Sequence, residues 1–269
     1  MQKNNYQTII DFGSSEIRLG VFDNDLSKLF FKSKSVFQKN NYEEYSTSIN
    51  FLIREAENKI SSHLENITVL YDASDIYSID LSIKKKLDQK VLLKEICSSI
   101  LLEANQLIKD FYTNKKILHL IIKKYIINDK EYLNMPDMLS DFKFVIIEIK
   151  FLCIPYNQYL NIIDNFKKNN LKILNFFSSS IVRSFQYLDF FKENKIVAFL
   201  DIGLERTTLI LFNNKKLDFF NSIKIGGNHI TKDISQVMKI TLDEAEELKK
   251  TFNKSEIDFS YDENNSNDN

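Results

Sequence analysis

The chain has 269 residues, 43% of them hydrophobic and 27% charged, with a formal net charge of −1. That apolar share is ample for one or two buried cores, and the charge balance gives nucleic acid no electrostatic footing. Cys97 and Cys153 fall on apolar faces without metal-ligand spacing, which argues against a disulfide framework and suits a reducing cytoplasm.

Residues 6–22 read as strand, tight turn, strand, with Ile17, Leu19 and Val21 alternating in period two, and residues 29–36 supply a third strand. Residues 43–65 are helical, with Ile49, Leu52, Ile53, Ala56, Ile60 and Leu64 on one face, and residues 67–71 form a short strand. A strand over 76–84, a long helix over 88–112 and two strand-rich runs, 116–127 and 142–154, make a unit of about eighty residues. A helix over 157–168, a strand over 171–177 and a helix over 178–191 follow. Residues 196–220 then repeat the opening pattern. Residues 229–252 carry two helices broken near residue 240, the second opened by the capping-box spacing of Thr241 and Glu244. From residue 253 the chain is acidic and Asn-rich, and disorder is expected. Neither a signal peptide nor a transmembrane helix is predicted, and His63, His119 and His229 are too scattered for a metal site.

The repeat is specific. Asp11 and Phe22 stand at the same separation as Asp201 and Phe212, and each Phe leads into a polar turn, a Leu and a Phe-Phe pair. The two Asp-apolar-Gly blocks lie about 190 residues apart and read as an internal duplication. Only five glycines occur, Gly13, Gly20, Gly203, Gly226 and Gly227, where average usage of about 7% would give roughly nineteen. Glycine this scarce is expected where a side chain is not tolerated, above all where backbone approaches a ligand. A small-residue hairpin turn points N–H groups and hydroxyls at an anion, and an Asp at the end of the preceding strand holds hydrated Mg²⁺ through its waters. Gly13, Ser14 and Ser15 suit this in the first turn, and Thr207 and Thr208 supply hydroxyls in the second.

These paired blocks resemble the two phosphate motifs of the actin-like ATPase superfamily, and within it the chain is similar to the bacterial cell-division FtsA family. Further stretches carry the likeness: residues 117–129, the run Ile225-Gly226-Gly227-Asn228-His229-Ile230-Thr231, and the helix Ala245-Glu246-Glu247-Leu248-Lys249. The resemblance implies an α/β, duplicated ribonuclease H-like fold binding ATP and Mg²⁺. Asp11 and Asp201 would hold the metal waters. Gly13, Ser14, Ser15, Gly203, Thr207 and Thr208 would line the phosphates, Gly226 and Gly227 would let backbone approach the nucleotide, and Glu246 and Lys249 would reach ribose and adenine.

It also implies an arrangement of parts. Residues 1–74 and 155–195 would form the first lobe, 75–154 the family's extra subdomain, 196–252 part of the second lobe and 253–269 a disordered tail. A late Gly-Gly adenosine motif and a final connecting helix are not found, so the chain reads as incomplete or degenerate. The implied function is a divisome protein that self-polymerises and links FtsZ to the cytoplasmic membrane at the septum, through a membrane helix outside this chain. Any ATPase activity would be weak, because no residue stands out as a general base. A PilM-like adaptor of type IV pilus assembly and a sugar- or acetate-kinase-type enzyme are the alternatives. Two departures from the family pattern stand out: Leu204 and Glu205 replace glycines of the second phosphate turn, with Arg206 following, and residues 178–184 lack the usual acidic residue and proline.

Overall fold

The structure is a computed structural model that describes residues 6–36, 42–72, 75–86, 92–136, 142–191, 193 and 195–252. The acidic tail expected over 253–269 and the start expected for the helix over 88–112 lie outside the described residues.

Alternating apolar residues fold the opening segment into a three-stranded meander, β1 (Tyr6–Phe12), β2 (Glu16–Asp23) and β3 (Lys28–Ser35). Two strands parallel to β1, β4 (Asn66–Tyr71) and β9 (Lys172–Phe177), complete a sheet of order β3-β2-β1-β4-β9. The helix α1 (Tyr42–Ile60) buries Ile49, Leu52, Ile53 and Ala56 in the same core as Ile10, Leu19 and Val21. The helix α3 (Tyr156–Lys167) adds Ile162 and Phe166, whose ring meets Phe12 edge-on at 5.9 Å.

A second sheet has its own core. The strands β5 (Tyr77–Lys86), β6 (Lys115–Ile127), β7 (Lys130–Tyr132) and β8 (Phe144–Pro155) are antiparallel in the order β5-β8-β6-β7. The helix α2 (Leu93–Phe111) lays Ile96, Cys97, Ile100, Ala104 and Ile108 against it. Both cysteines are free thiols buried in this core. The long strands also reach the neighbouring core, to which Leu118, Leu152 and Ile154 belong. Sequence periodicity does not predict β7, which is three residues long. It forms because Asn128 and Asp129 both take positive φ, as a tight two-residue hairpin turn requires.

The helix α4 (Ser179–Leu188) ends in a 3-10 turn at Asp189–Phe191, so the regular helix is shorter than the expected 178–191. It leads into β10 (Ile196–Ile202), β11 (Thr207–Asn213) and β12 (Lys216–Ile223), a meander of order β10-β11-β12, and then α5 (Gly227–Met238) and α6 (Leu242–Phe252). Val197, Ile210, Phe212, Leu217 and Phe220 of this meander join the first core, beside Ile181 and Leu188 of α4. The first hairpins of the two meanders share one register, whereas the second hairpin turn is two residues shorter in the later meander. Asp11 pairs with Arg18 as Asp201 pairs with Thr208, and a bulge falls at Val21/Phe22 as at Leu211/Phe212. Gly13 N donates to Glu16 O at 3.0 Å, as Gly203 N does to Arg206 O at 2.8 Å. No helix among the described residues is long and apolar enough to cross a membrane.

Candidate functional site

The ends of β1, β4 and β10 converge on the N-terminus of α4, where Ser178, Ser179 and Ser180 follow one another. Ser178 is the N-cap: its extended backbone lets its Oγ accept from Ile181 N at 3.4 Å. Its own N–H donates to His119 Nε2 at 2.9 Å, and the His119 ring stacks on Phe177. Burial pushes the His119 pKa down to about 4, so the ring is neutral and its Nε2 lone pair accepts.

Three serine hydroxyls then meet three carboxylates. Ser178 Oγ donates to Asp72 Oδ1 at 2.6 Å, and Ser179 Oγ to Asp11 Oδ1 at 2.6 Å. Ser180 Oγ lies 2.6 Å from Asp72 Oδ2 and 2.7 Å from Asp201 Oδ2, while Ser180 N donates to Asp72 at 2.7 Å. A hydroxyl has one hydrogen, so Ser180 serves one of these two carboxylates at a time. Asp72, just past β4, has a side chain only 1% exposed and is paired to Arg206 at 2.7 Å. Burial raises its pKa, against the opposing pull of Arg206, Ser178 and Ser180.

Arginines tie the cluster together. Arg183 sits one helical turn after Ser179, on the same face of α4, and its Nη2 donates to Asp11 Oδ2 at 2.7 Å. Its Nη1 stands 3.9 Å from Asp201 Oδ1, so one guanidinium bridges both repeat aspartates. Burial works against its charge, but the carboxylates of Asp11, Asp201 and Asp72 outweigh it and raise its pKa. Arg18 also donates to Asp11, at 3.2 Å, and is paired to Glu16 at 2.7 Å. Arg206 Nη1 donates to Thr208 Oγ1 at 2.5 Å, and Thr208 donates to Ser222 Oγ at 3.1 Å.

The glycine turns pack against their own backbone. None of the five glycines has positive φ. A Cβ on Gly13 would stand 2.7 Å from Glu16 O, beside the half-buried Ser14 and the exposed Ser15. A Cβ on Gly226 would stand 2.5 Å from both Arg206 N and Gly203 O. The first amides of α5 are spent on the second turn: Gly227 N donates to Gly203 O at 2.9 Å and Asn228 N to Leu204 O at 2.7 Å. Thr207 Oγ1 donates to Ile225 O at 2.7 Å. Asn228 Nδ2 donates to Glu205 Oε1 at 2.8 Å, which anchors the carboxylate that replaces a glycine of the family pattern. Glu246 and Lys249 join α6 to the start of α5. Glu246 accepts from Thr231 Oγ1 at 2.5 Å and Lys249 Nζ at 2.6 Å, and Lys249 also donates to Gly227 O at 3.1 Å. Burial pushes the Glu246 pKa up, but the hydrogen bonds from Lys249 and Thr231, with the charges of Lys249 and Lys250, outweigh it and hold the carboxyl below its ordinary value.

The structure thus brings Asp11 and Asp201 together through Arg183 and the serines. It gathers Gly203, Thr207, Gly226, Gly227, Glu246 and Lys249 around the start of α5. Sequence reasoning missed Asp72, His119, Arg183, Arg206 and the serine triplet as site residues. The signals within reach were an Asp at the carboxyl end of a parallel strand and hydroxyl residues at a helix start. As a seat for Mg²⁺ the aspartate pair does not fit: the Arg183 guanidinium bridges the two carboxylates, and Ser179 and Ser180 hold their other oxygens. Among the described residues no group of three His, Cys, Asp or Glu is placed to hold a metal ion.

Residues 198–268 match the family model described as cell division protein FtsA. Over 59 residues the chain is 42% identical to cell division protein FtsA of Bacillus subtilis (strain 168), a stretch covering 22% of this chain and only 13% of that protein. In fold, the chain is similar to the solved PilM-PilN type IV pilus biogenesis complex, with a TM-score of 0.66 and 15% identity over 91% of this chain and 69% of that one. It is also similar to ethanolamine utilization protein EutJ from Carboxydothermus hydrogenoformans, with a TM-score of 0.51 and 13% identity over 93% of this chain and 63% of that one. The chain is FtsA-like on an actin-like fold, its likeness to FtsA in sequence resting on residues 198–268.

Proposed function

We propose that this chain is an actin-like, ATP-binding cell-division protein that self-assembles and links FtsZ to the cytoplasmic membrane at the septum. The observation that carries the reading is where the FtsA match falls. Residues 198–268 take in the second aspartate turn, Gly226, Gly227, Glu246 and Lys249, which hold the start of α5 between that turn and α6. The nucleotide would lie between the two turns. Its phosphates would face Asp11, Gly13, Ser14 and Ser15 on one side and Asp201, Gly203, Thr207 and Thr208 on the other, with ribose and base toward Glu246 and Lys249. The unit over residues 75–154 would be the family's extra subdomain, between first-lobe segments 1–74 and 155–195, with 196–252 in the second lobe.

One observation favours a second reading, a PilM-like pilus adaptor: the fold match to the PilM-PilN complex extends over 91% of the chain, far beyond the FtsA sequence match. Binding of purified FtsZ and of PilN to the full chain, each followed by fluorescence anisotropy, separates the two. Binding of FtsZ alone supports the division reading. Binding of PilN alone replaces it with the pilus reading, and binding of neither removes both.

A further inference from the structure

We infer that the Arg183 guanidinium is a built-in counter-cation of the Asp11–Asp201 pair, standing where a divalent ion would stand, so that the site takes nucleotide phosphates without a divalent metal. The nucleotide half of this inference rests on the ATP-binding reading above; the counter-cation half does not.

Two carboxylates facing each other across a cleft repel each other and repel phosphate, so a cation between them is the usual remedy. Mg²⁺ supplies one only with near-octahedral oxygen coordination at about 2.0–2.1 Å, directly or through waters that themselves need room. Here the room is taken. Arg183 reaches Asp11 at 2.7 Å and Asp201 at 3.9 Å, and Arg18 backs the same Asp11 oxygen at 3.2 Å. Ser179 and Ser180 engage the oxygens that remain. A guanidinium is always charged, and its five donors in a planar fork suit bridging of oxyanions. The Arg183 side chain is 45% exposed, so donors beyond those spent on the aspartates are open to a phosphate oxygen. Arg206, only 14% exposed and committed to Asp72, holds the neighbouring carboxylate in the same way. Each carboxylate of the cluster therefore already has a cation from the chain itself.

The test uses the full chain in two arms. In the first, Mn²⁺ alone is added without nucleotide, and the free ion is followed by electron paramagnetic resonance. The wild-type chain is expected to take up no Mn²⁺ at the aspartate pair. R183Q frees both carboxylates and gains a site, which D11N added to it removes. R183K keeps a cation there and gains none. Wild-type uptake that D11N abolishes overturns the inference, as does an R183Q chain that keeps its circular dichroism spectrum and gains no site. The wild-type and R183K titrations decide the point even where R183Q does not fold.

In the second arm, binding of a fluorescent ATP analogue is compared in Mg²⁺ and in EDTA. Wild-type affinity is expected to change by less than about threefold, whereas R183Q weakens about tenfold in EDTA and recovers in Mg²⁺. A tenfold weakening of the wild-type chain overturns the inference. Binding to neither variant overturns the nucleotide reading and the nucleotide half of the inference together, while the Mn²⁺ arm still decides the counter-cation role.

Discussion

Asp72 shows how much of the site rests on single buried atoms. Its carboxylate is 1% exposed and tolerable there only because Arg206 and two serines compensate for lost water. Asp72→Ala strips Arg206 of its charge partner and is expected to cost about 3–5 kcal/mol in urea unfolding. Adding Arg206→Ala should recover part of that loss, so a strictly additive double-mutant cycle counts against the pair. His119 makes a pH prediction. The folded ring titrates near 4 and the unfolded ring near its ordinary 6.5, so the unfolded chain binds the proton first. Stability from this group is complete above pH 6.5 and falls as pH drops toward 4, by at most about 3 kcal/mol. Urea midpoints measured across that window should flatten in His119→Gln; an unchanged slope would show that the acid loss arises elsewhere. Gly226 is required sterically rather than for a special φ. Gly226→Ala forces the second turn away and is expected to cost about 1–3 kcal/mol, seen as a lower melting temperature.

Among the elements, α4 is the hub. Its first residues hold the ends of β1, β4 and β10, and its later residues Ile181 and Leu188 lie in the core shared by both meanders. The sequence reading counted residues 178–184 as a departure, because the acidic residue and proline of the family pattern are missing. The structure shows what stands there instead: hydroxyls that donate to Asp11, Asp72 and Asp201. Ser178→Ala removes both an N-cap and a bond to a buried carboxylate, so its cost should exceed the roughly 1 kcal/mol of an ordinary cap. A loss no larger than that would mean Asp72 finds another donor. The helices and hairpins themselves were legible, because a buried face imposes a period of 3.6 or 2 on the residues that build it. The duplication was legible too, down to the matched places of Asp11 and Asp201. The strand β7 was not, since three residues are too few to show a period.

At the scale of the molecule, the described residues build two apolar cores, one shared by the two meanders and one under α2. They are stitched together by β6 and β8, which place Leu118, Leu152 and Ile154 in the first core and Ile127, Val145 and Ile147 in the second. Native-state hydrogen exchange should therefore show two protected units. Ile100→Ala, which opens a cavity under α2, is expected to cost about 2–5 kcal/mol. It should speed exchange in β5, β6 and β8 while β1, β2 and β4 keep their protection. Uniform acceleration across both sheets would show one cooperative unit.

The sequence by itself determined most of the elements, the paired aspartate turns and the family to which the chain is similar, because these are written in local periodicity and in short motifs. Only the tertiary structure decided what the aspartates do. Asp11 meets Ser179 and Arg183 across more than half the chain, and Asp72 meets Ser178 and Ser180 at separations of 106 and 108 residues. No local pattern encodes such partners: they are set by which strand ends the sheet brings to the start of α4. A turn that reads as an open seat for a metal ion is, once folded, already occupied by the chain's own arginine.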